Sequence, residues 1–187
     1  MARNKRDVDR AQKQEEIELA ATRLFLEGGY DATSMAAVAG AAGVAPNTLY
    51  WYYANKDELL IAVLNRLMAR TLEVRAGIAE LPLPEQLLWL IQVFEQAHNL
   101  VLTVHGRLDQ SKAIFDWHAQ FHQKLEALLV ATLVAQGMSE EEAVTLATAG
   151  TFIVEGLLSH PHTLEQREKV IRWLLSKGWK PDDSYFV

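Results

Sequence analysis

Two histidines one helical turn apart, His118 and His122, and a cluster of basic side chains at the start of the chain are the residues whose type and spacing suggest chemistry. Histidines at i and i+4 share a helix face at the spacing of two metal ligands. Asp116 and Glu126 are near them in sequence, and His98 or His105 are further candidates to complete a ligand set. Two histidines on a long helix are more often solvated or hydrogen-bonded, so no metal, cofactor or catalytic residue is expected. The chain has no cysteine, which excludes disulfides, thiolate metal sites and cysteine nucleophiles. The sequence shows no nucleophile elbow, phosphate-cradling glycine loop or full metal set. A small helical enzyme built on His118, His122 and nearby carboxylates is therefore a lesser alternative.

Residues 1–13 carry Arg3, Lys5, Arg6, Arg10 and Lys13 against Asp7 and Asp9, a net charge of +3. Such an arm suits a phosphate backbone, although a solvated tail has the same composition. The chain of 187 residues carries −6, yet residues 1–56 are neutral and the acid excess lies entirely in residues 57–187. For nucleic-acid binding the distribution of charge matters more than its sum. No apolar stretch follows the basic start, so no signal peptide is expected. The apolar run 87–91 is far too short to span a bilayer, and the expectation is a cytoplasmic protein with no membrane partner.

Helices must position these groups, because helical periodicity runs almost throughout and neither sustained alternation nor an Asn-Gly or Asp-Gly hairpin turn occurs. A first helix over about 11–27 presents Ile17, Ala20, Ala21, Leu24 and Phe25 on one face, stopped by Gly28 and Gly29. Thr33 is read as the N-cap of a short helix over 34–41, with Val38 and Ala39 facing inward and Met35 pointing elsewhere. Ala42, Gly43 and Val44 make a tight turn, and Pro46 suits the first position of a third helix ending near Tyr53. A fourth helix starts at Asn55, capped with Glu58, and runs to about Arg75. A fifth is read as continuous over 85–103 and centrally buried. An irregular segment follows at 106–109, then a long helix over 111–136 stopped by Gly137. Ser139 with Glu142, and Thr163 with Gln166, have capping-box spacing for the last two helices, the final one stopped by Gly178.

Three short helices around Ile17, Leu24, Phe25, Val38, Val44, Leu49 and Tyr53 describe a helix-turn-helix, a unit that also occurs in proteins that never touch DNA. The details go further. The first helix ends in Gly28-Gly29-Tyr30, Thr33-Ser34 opens the second, and Ala42-Gly43-Val44 forms the turn. Thr48-Leu49-Tyr50 lies in the third helix, and Asn55-Lys56-Asp57-Glu58-Leu59-Leu60 follows it. With these features and their spacing, residues 17–64 closely resemble the N-terminal module of the TetR/AcrR family of bacterial regulators, over about a quarter of the chain. The rest resembles only the family's general all-helical layout.

The resemblance implies an all-α fold, with a three-helix helix-turn-helix module over 1–56 and a helical-bundle ligand-binding and dimerisation domain over 57–187. It implies that Thr33, Tyr50, Tyr52 and Lys56 meet phosphates of double-stranded DNA, which positions the protein without reading sequence. Base reading then falls to Pro46, Asn47 and Thr48 with Met35 beside them. Asn47 suits a bidentate pair with adenine, and Thr48 or Met35 suits a thymine methyl. Two positions depart from the family pattern. Ala45 stands where serine is usual and cannot cap the third helix. Tyr53 stands where phenylalanine is common, so its hydroxyl needs a partner. Of the aromatic run 50–53, Tyr53 is read as core, Trp51 as either core or surface, and Tyr50 and Tyr52 as contacts.

Beyond residue 60, Trp89, Phe94, His98, Leu102, Phe115, Trp117, His118 and Phe121 are candidates to line a pocket for a lipophilic or aromatic small-molecule effector; ordinary core packing accounts for any one of them. Ala143, Leu146, Ala147, Gly150, Val154 and Leu157 form one apolar stripe, and Val170, Ile171, Leu174 and Leu175 another. They pack either within the chain or across a two-fold axis as a homodimer, which the family layout favours. The function expected is a ligand-responsive repressor on a palindromic operator; a helical protein–protein adaptor is the other alternative.

Overall fold

The computed structural model describes residues 5–177, with side chains for 9–176. Arg3, the side chains of Lys5 and Arg6, and the stop assigned to Gly178 lie outside the described residues. Among those described, the secondary structure is helical throughout. The chain packs as two units, one of residues up to 76 together with 97–117, the other of 77–96 together with 118 onward.

In the first unit, α1 (Lys5–Gly28) starts earlier than its apolar face requires. Its exposed side is laced by Gln12 to Glu16 at 3.3 Å, Gln14 to Glu18 at 3.0 Å, and the pair Lys13–Glu16. Such neighbours add a few tenths of a kcal/mol each, so the helix is held chiefly by its buried face. Ile17, Ala21 and Phe25 are fully buried, and Leu24 packs beside them. Each large buried apolar side chain contributes roughly 1.5–3 kcal/mol. Gly29, at φ 82°, turns the chain out of α1 in a conformation that L side chains rarely adopt.

α2 (Met35–Ala41) is capped by Ser34, whose hydroxyl oxygen accepts from the Ala37 N–H. This corrects the assignment of the cap to Thr33. Met35, expected to point away, is buried with Val38 and Ala39. The turn to α3 (Pro46–Tyr52) is a Schellman motif. The Val44 N–H reaches the Ala39 carbonyl at 3.0 Å, Gly43 N–H reaches Gly40 at 3.2 Å, and Gly43 has φ 63°. Ala45 gives α3 no side-chain cap, as its methyl dictates. α4 (Lys56–Ala76) opens with Asn55 Oδ1 accepting from the Glu58 N–H at 2.9 Å. The reciprocal bond comes from the Ala54 N–H to Glu58 at 2.9 Å. Leu59, Leu60 and Val63 are fully buried against α1.

The helix read as continuous over 85–103 is two, α5 (Leu83–Gln96) and α6 (His98–Arg107). Ala97, at φ −101° and ψ 20°, leaves helical geometry. No proline or glycine marks the break. The two pieces join different packing units, and tertiary packing overrides a continuous local preference. Leu100 and Val104 of α6, with Ile114 at the start of α7 (Lys112–Ala135), complete the first unit's core. In the run 87–91 only Ile91 is fully buried; the other four are half-buried, not central.

The second unit contains α5, the remainder of α7, α8 (Glu140–Ser159) and α9 (Leu164–Lys177). α7 ends in a second Schellman turn at Gly137 (φ 97°), with Met138 N–H to Leu133 O at 3.2 Å and both side chains buried in one cluster. Ser139 and Glu142 form the capping box of α8. Thr163 and Gln166 cap α9 reciprocally at 2.8 and 3.1 Å. α8 is long and apolar enough to cross a membrane by length and composition alone. Its face of Ala143, Leu146, Ala147 and Gly150 is buried inside the unit.

Candidate nucleic-acid interface

α3 has seven residues and one buried side chain, Leu49. Leu49 pins the helix to the core from within, so Pro46, Asn47, Thr48, Tyr50 and Trp51 are all exposed. Tyr50 is 52% and Trp51 63% accessible, a large aromatic area for so short a helix. The Arg10 guanidinium lies 4.7 Å from the Trp51 ring centroid. Tyr52 meets Trp51 edge-on at 4.9 Å, and its hydroxyl donates to the Arg10 carbonyl at 3.4 Å. Thus α1, one turn into its basic arm, braces the C-terminal end of α3. Arg10 is a bracing residue that periodicity did not reveal.

Tyr53 is buried, and the partner its hydroxyl requires is Glu18 Oε1 at 2.6 Å. Burial, followed by this bond to a carboxylate, pushes the phenol above the ordinary tyrosine value.

Lys56 sits with its ammonium 4.1 Å over the Tyr30 ring and 3.5 Å from the Asp31 carbonyl. Burial lowers its pKa, more strongly than Asp31 raises it. Beside it, Asp57 accepts a bidentate pair from Arg107 at 2.8 and 2.9 Å and the Tyr30 hydroxyl as well. Burial alone would raise the Asp57 carboxyl, but the hydrogen bonds from Arg107, Tyr30 and Ser111 outweigh it and hold the group below its ordinary value. Arg107, Asp57 and Tyr30 come from α6, α4 and the loop after α1 respectively, and their convergence leaves no local sequence signal.

Two contact assignments change. Thr33 is buried, and its hydroxyl donates to Gly29 O at 2.8 Å and reaches Leu24 O at 3.3 Å, tying off the end of α1. Met35 is in the core. Neither side chain is at the surface, whereas Pro46, Asn47, Thr48 and Tyr50 are exposed and Tyr52 and Lys56 half-exposed.

The pocket candidates divide between the two units. In the second, Phe94 meets Phe121 at 6.0 Å, Phe121 meets His122 at 5.4 Å, and Trp89 and His118 are half-buried. In the first, Trp117 donates its indole N–H to Asn65 at 2.8 Å, while His98, Leu102 and Phe115 are exposed. Those three are surface residues, contrary to a lining role within their own unit. Asp116 is held by Lys112 at 2.6 Å and Glu126 by Thr148 at 2.6 Å.

The dimer stripes also need correction. Ala143, Leu146, Ala147, Gly150, Ile171 and Leu174 are buried within the second unit, and Val154, Leu157 and Leu175 are half-buried; of the stripe only Val170 is exposed. The pattern identified the inward face of each helix. The outward apolar residues are Val144 and Phe152 on α8 and Leu164, Val170 and Trp173 on α9, with Phe152 72%, Leu164 70% and Trp173 57% accessible.

An all-α chain with a buried three-helix N-terminal core and an exposed third helix defines a helix-turn-helix protein. Residues 18–63 match the model of the family described as bacterial regulatory proteins, tetR family. A fatty acid metabolism regulator protein of Bacillus subtilis is 28% identical over 116 residues, which is 59% of this chain and 57% of that protein. An HTH-type transcriptional regulator of the same organism is 31% identical over 90 residues, 46% of this chain and 47% of that one. The chain thus spans about half the length of these curated relatives. A TetR transcription regulator from Haloarcula marismortui superposes with a TM-score of 0.69 at 21% identity, covering 90% of this chain and 96% of the other. At that identity the likeness is one of fold.

Proposed function

We propose that this protein is a ligand-responsive transcriptional repressor that binds a palindromic operator as a homodimer and is released by a small lipophilic or aromatic effector. The observation that carries the DNA-binding part is α3: a helix pinned by Leu49 alone, with Asn47, Thr48, Tyr50 and Trp51 all exposed beside the partly exposed Lys56. Tyr50, Tyr52 and Lys56 hold phosphates and fix the register. Pro46, Asn47 and Thr48 meet base edges, with Asn47 suited to adenine. The exposed apolar residues of α8 and α9 support a second copy docking across a two-fold axis, which would set two α3 helices about one DNA turn apart. The effector acts by binding one of two conformations more tightly, since equal affinity shifts nothing. The aromatic group of Trp89, Phe94 and Phe121 in the second unit supports an apolar effector.

Selection from a pool of random duplex DNA at fixed salt tests this reading, with Tyr50→Ala as control. A recovered palindrome whose binding is lost in the variant is the expected result. No enrichment, or enrichment unaffected by the variant, contradicts it and favours a protein–protein adaptor.

A further inference from the structure

The second unit brings three metal-ligating side chains together in a way the DNA-binding reading leaves unused. His118 and His122, one turn apart on α7, turn their Nε2 atoms toward each other at 3.0 Å, with ring centroids 4.3 Å apart. Glu155 of α8 places Oε1 3.1 Å from the same His122 Nε2. His122 and Glu155 are about three-quarters and two-thirds buried, with 25% and 32% of their side chains accessible.

Hydrogen bonding satisfies this geometry poorly. An imidazole Nε2 carries either one proton or one in-plane lone pair. If His122 Nε2 donates to Glu155, it has no lone pair left for His118. If it accepts from His118, its lone pair faces a carboxylate oxygen at 3.1 Å. A neutral His122 thus serves both partners only by sharing one N–H in a bent three-centre bond, or else sets its lone pair against the carboxylate. A cation between them removes the conflict, because it takes the lone pairs of both imidazoles and the carboxylate together. The two spacings about His122, 3.0 and 3.1 Å, suit such an ion, since ligands about 2.0–2.1 Å from a tetrahedral zinc stand roughly 3.3 Å apart.

We propose that His118, His122 and Glu155 form a binding site for a divalent transition-metal ion of zinc type. The donor set is two imidazoles and one carboxylate, borderline ligands that favour zinc, cobalt or nickel over magnesium and calcium. Glu155 is the ligand that sequence spacing missed, since it comes from a different helix than the histidine pair. Asp116 and Glu126, the nearer carboxylates in sequence, are engaged by Lys112 and Thr148. Three protein ligands leave a coordination position open to water or another donor. The site does not depend on DNA binding, so the two readings stand or fall separately.

The test uses the full chain, stripped with chelator and titrated with cobalt(II), whose visible d–d absorption reports tetrahedral coordination. Zinc competition against a chromophoric chelator then gives the affinity. The expected result is one equivalent, bound at about micromolar or tighter. His118→Ala and His122→Ala should each weaken binding on the order of 100-fold, at least an outer-shell-sized loss. Glu155→Gln keeps the side-chain shape but removes the charge, and should also weaken it. His160→Ala, in the turn after α8, should leave it unchanged. X-ray absorption of the zinc-loaded wild type needs no variant and should show two imidazole ligands. Absence of a stoichiometric cobalt spectrum, a spectrum retained in the double histidine variant, or zinc lacking the imidazole pair would each overturn the proposal.

Discussion

Tyr53 shows how far a single residue can be read. Its hydroxyl, unusual at a core position, implies a partner on chemical grounds alone, and Glu18 supplies it at 2.6 Å. What sequence could not name was which residue, because Glu18 lies a whole helix-turn-helix away on α1. Removing the hydroxyl by Tyr53→Phe is predicted to cost about 1.5–3 kcal/mol, the range for a hydrogen bond to a charged group, measured by urea unfolding. Asp57 gives a pH-dependent prediction. Its folded pKa lies below the ordinary carboxylate value. The stability it contributes is therefore fully present above the unfolded value, about 3.9, and is lost as pH falls through the folded value. Asp57→Asn should destabilise the first unit at neutral pH, and the gap from wild type should shrink as pH drops below about 4. A gap that is constant with pH would show that the Arg107 pair has no such role.

At the scale of elements, caps and turns were the most legible features, because they depend on two or three residues close in sequence. The Schellman turn at Gly43, the uncapped start of α3 and the two capping boxes all follow from side-chain chemistry. Two ambiguities share a cause. An apolar stripe says that a face is covered but not by what, so the stripe of α8 fits packing within the chain and across a two-fold axis equally well. Likewise, continuous apolar periodicity through Ala97 gave no sign that α5 and α6 enter different units. Gly150 tests the revised view. A Cβ there would meet Leu129 and Leu174 at 3.8 Å, ordinary contact distance. Gly150→Ala is therefore predicted to stabilise the protein by about 0.5–1 kcal/mol through helix propensity. Destabilisation in a thermal melt would mean that closer packing occurs there. Gly43→Ala should act in the opposite direction, since φ 63° strains any L side chain.

For the whole molecule, the fold class and the N-terminal module were legible because helical period, glycine stops and family motif agree over one continuous stretch. The partners of the second unit were not, since its exposed residues come from two separate helices. If α8 and α9 dimerise through their outward faces, Phe152→Glu with Trp173→Glu should yield a folded monomer by sedimentation and weaken operator binding on the order of 100-fold or more. A dimer that persists would place the interface elsewhere.

The central claim, that α3 reads DNA while Lys56 only holds it, is tested most directly by titrating Asn47→Ala and Lys56→Ala against the selected duplex and its single-base variants at several salt concentrations. Lys56→Ala should weaken every duplex alike and reduce the magnitude of the salt slope by about one. Asn47→Ala should instead lose about 1–3 kcal/mol of discrimination at one base pair in each half-site, with the salt slope unchanged. If both variants keep wild-type affinity and preference, α3 is not the reading helix and the account fails.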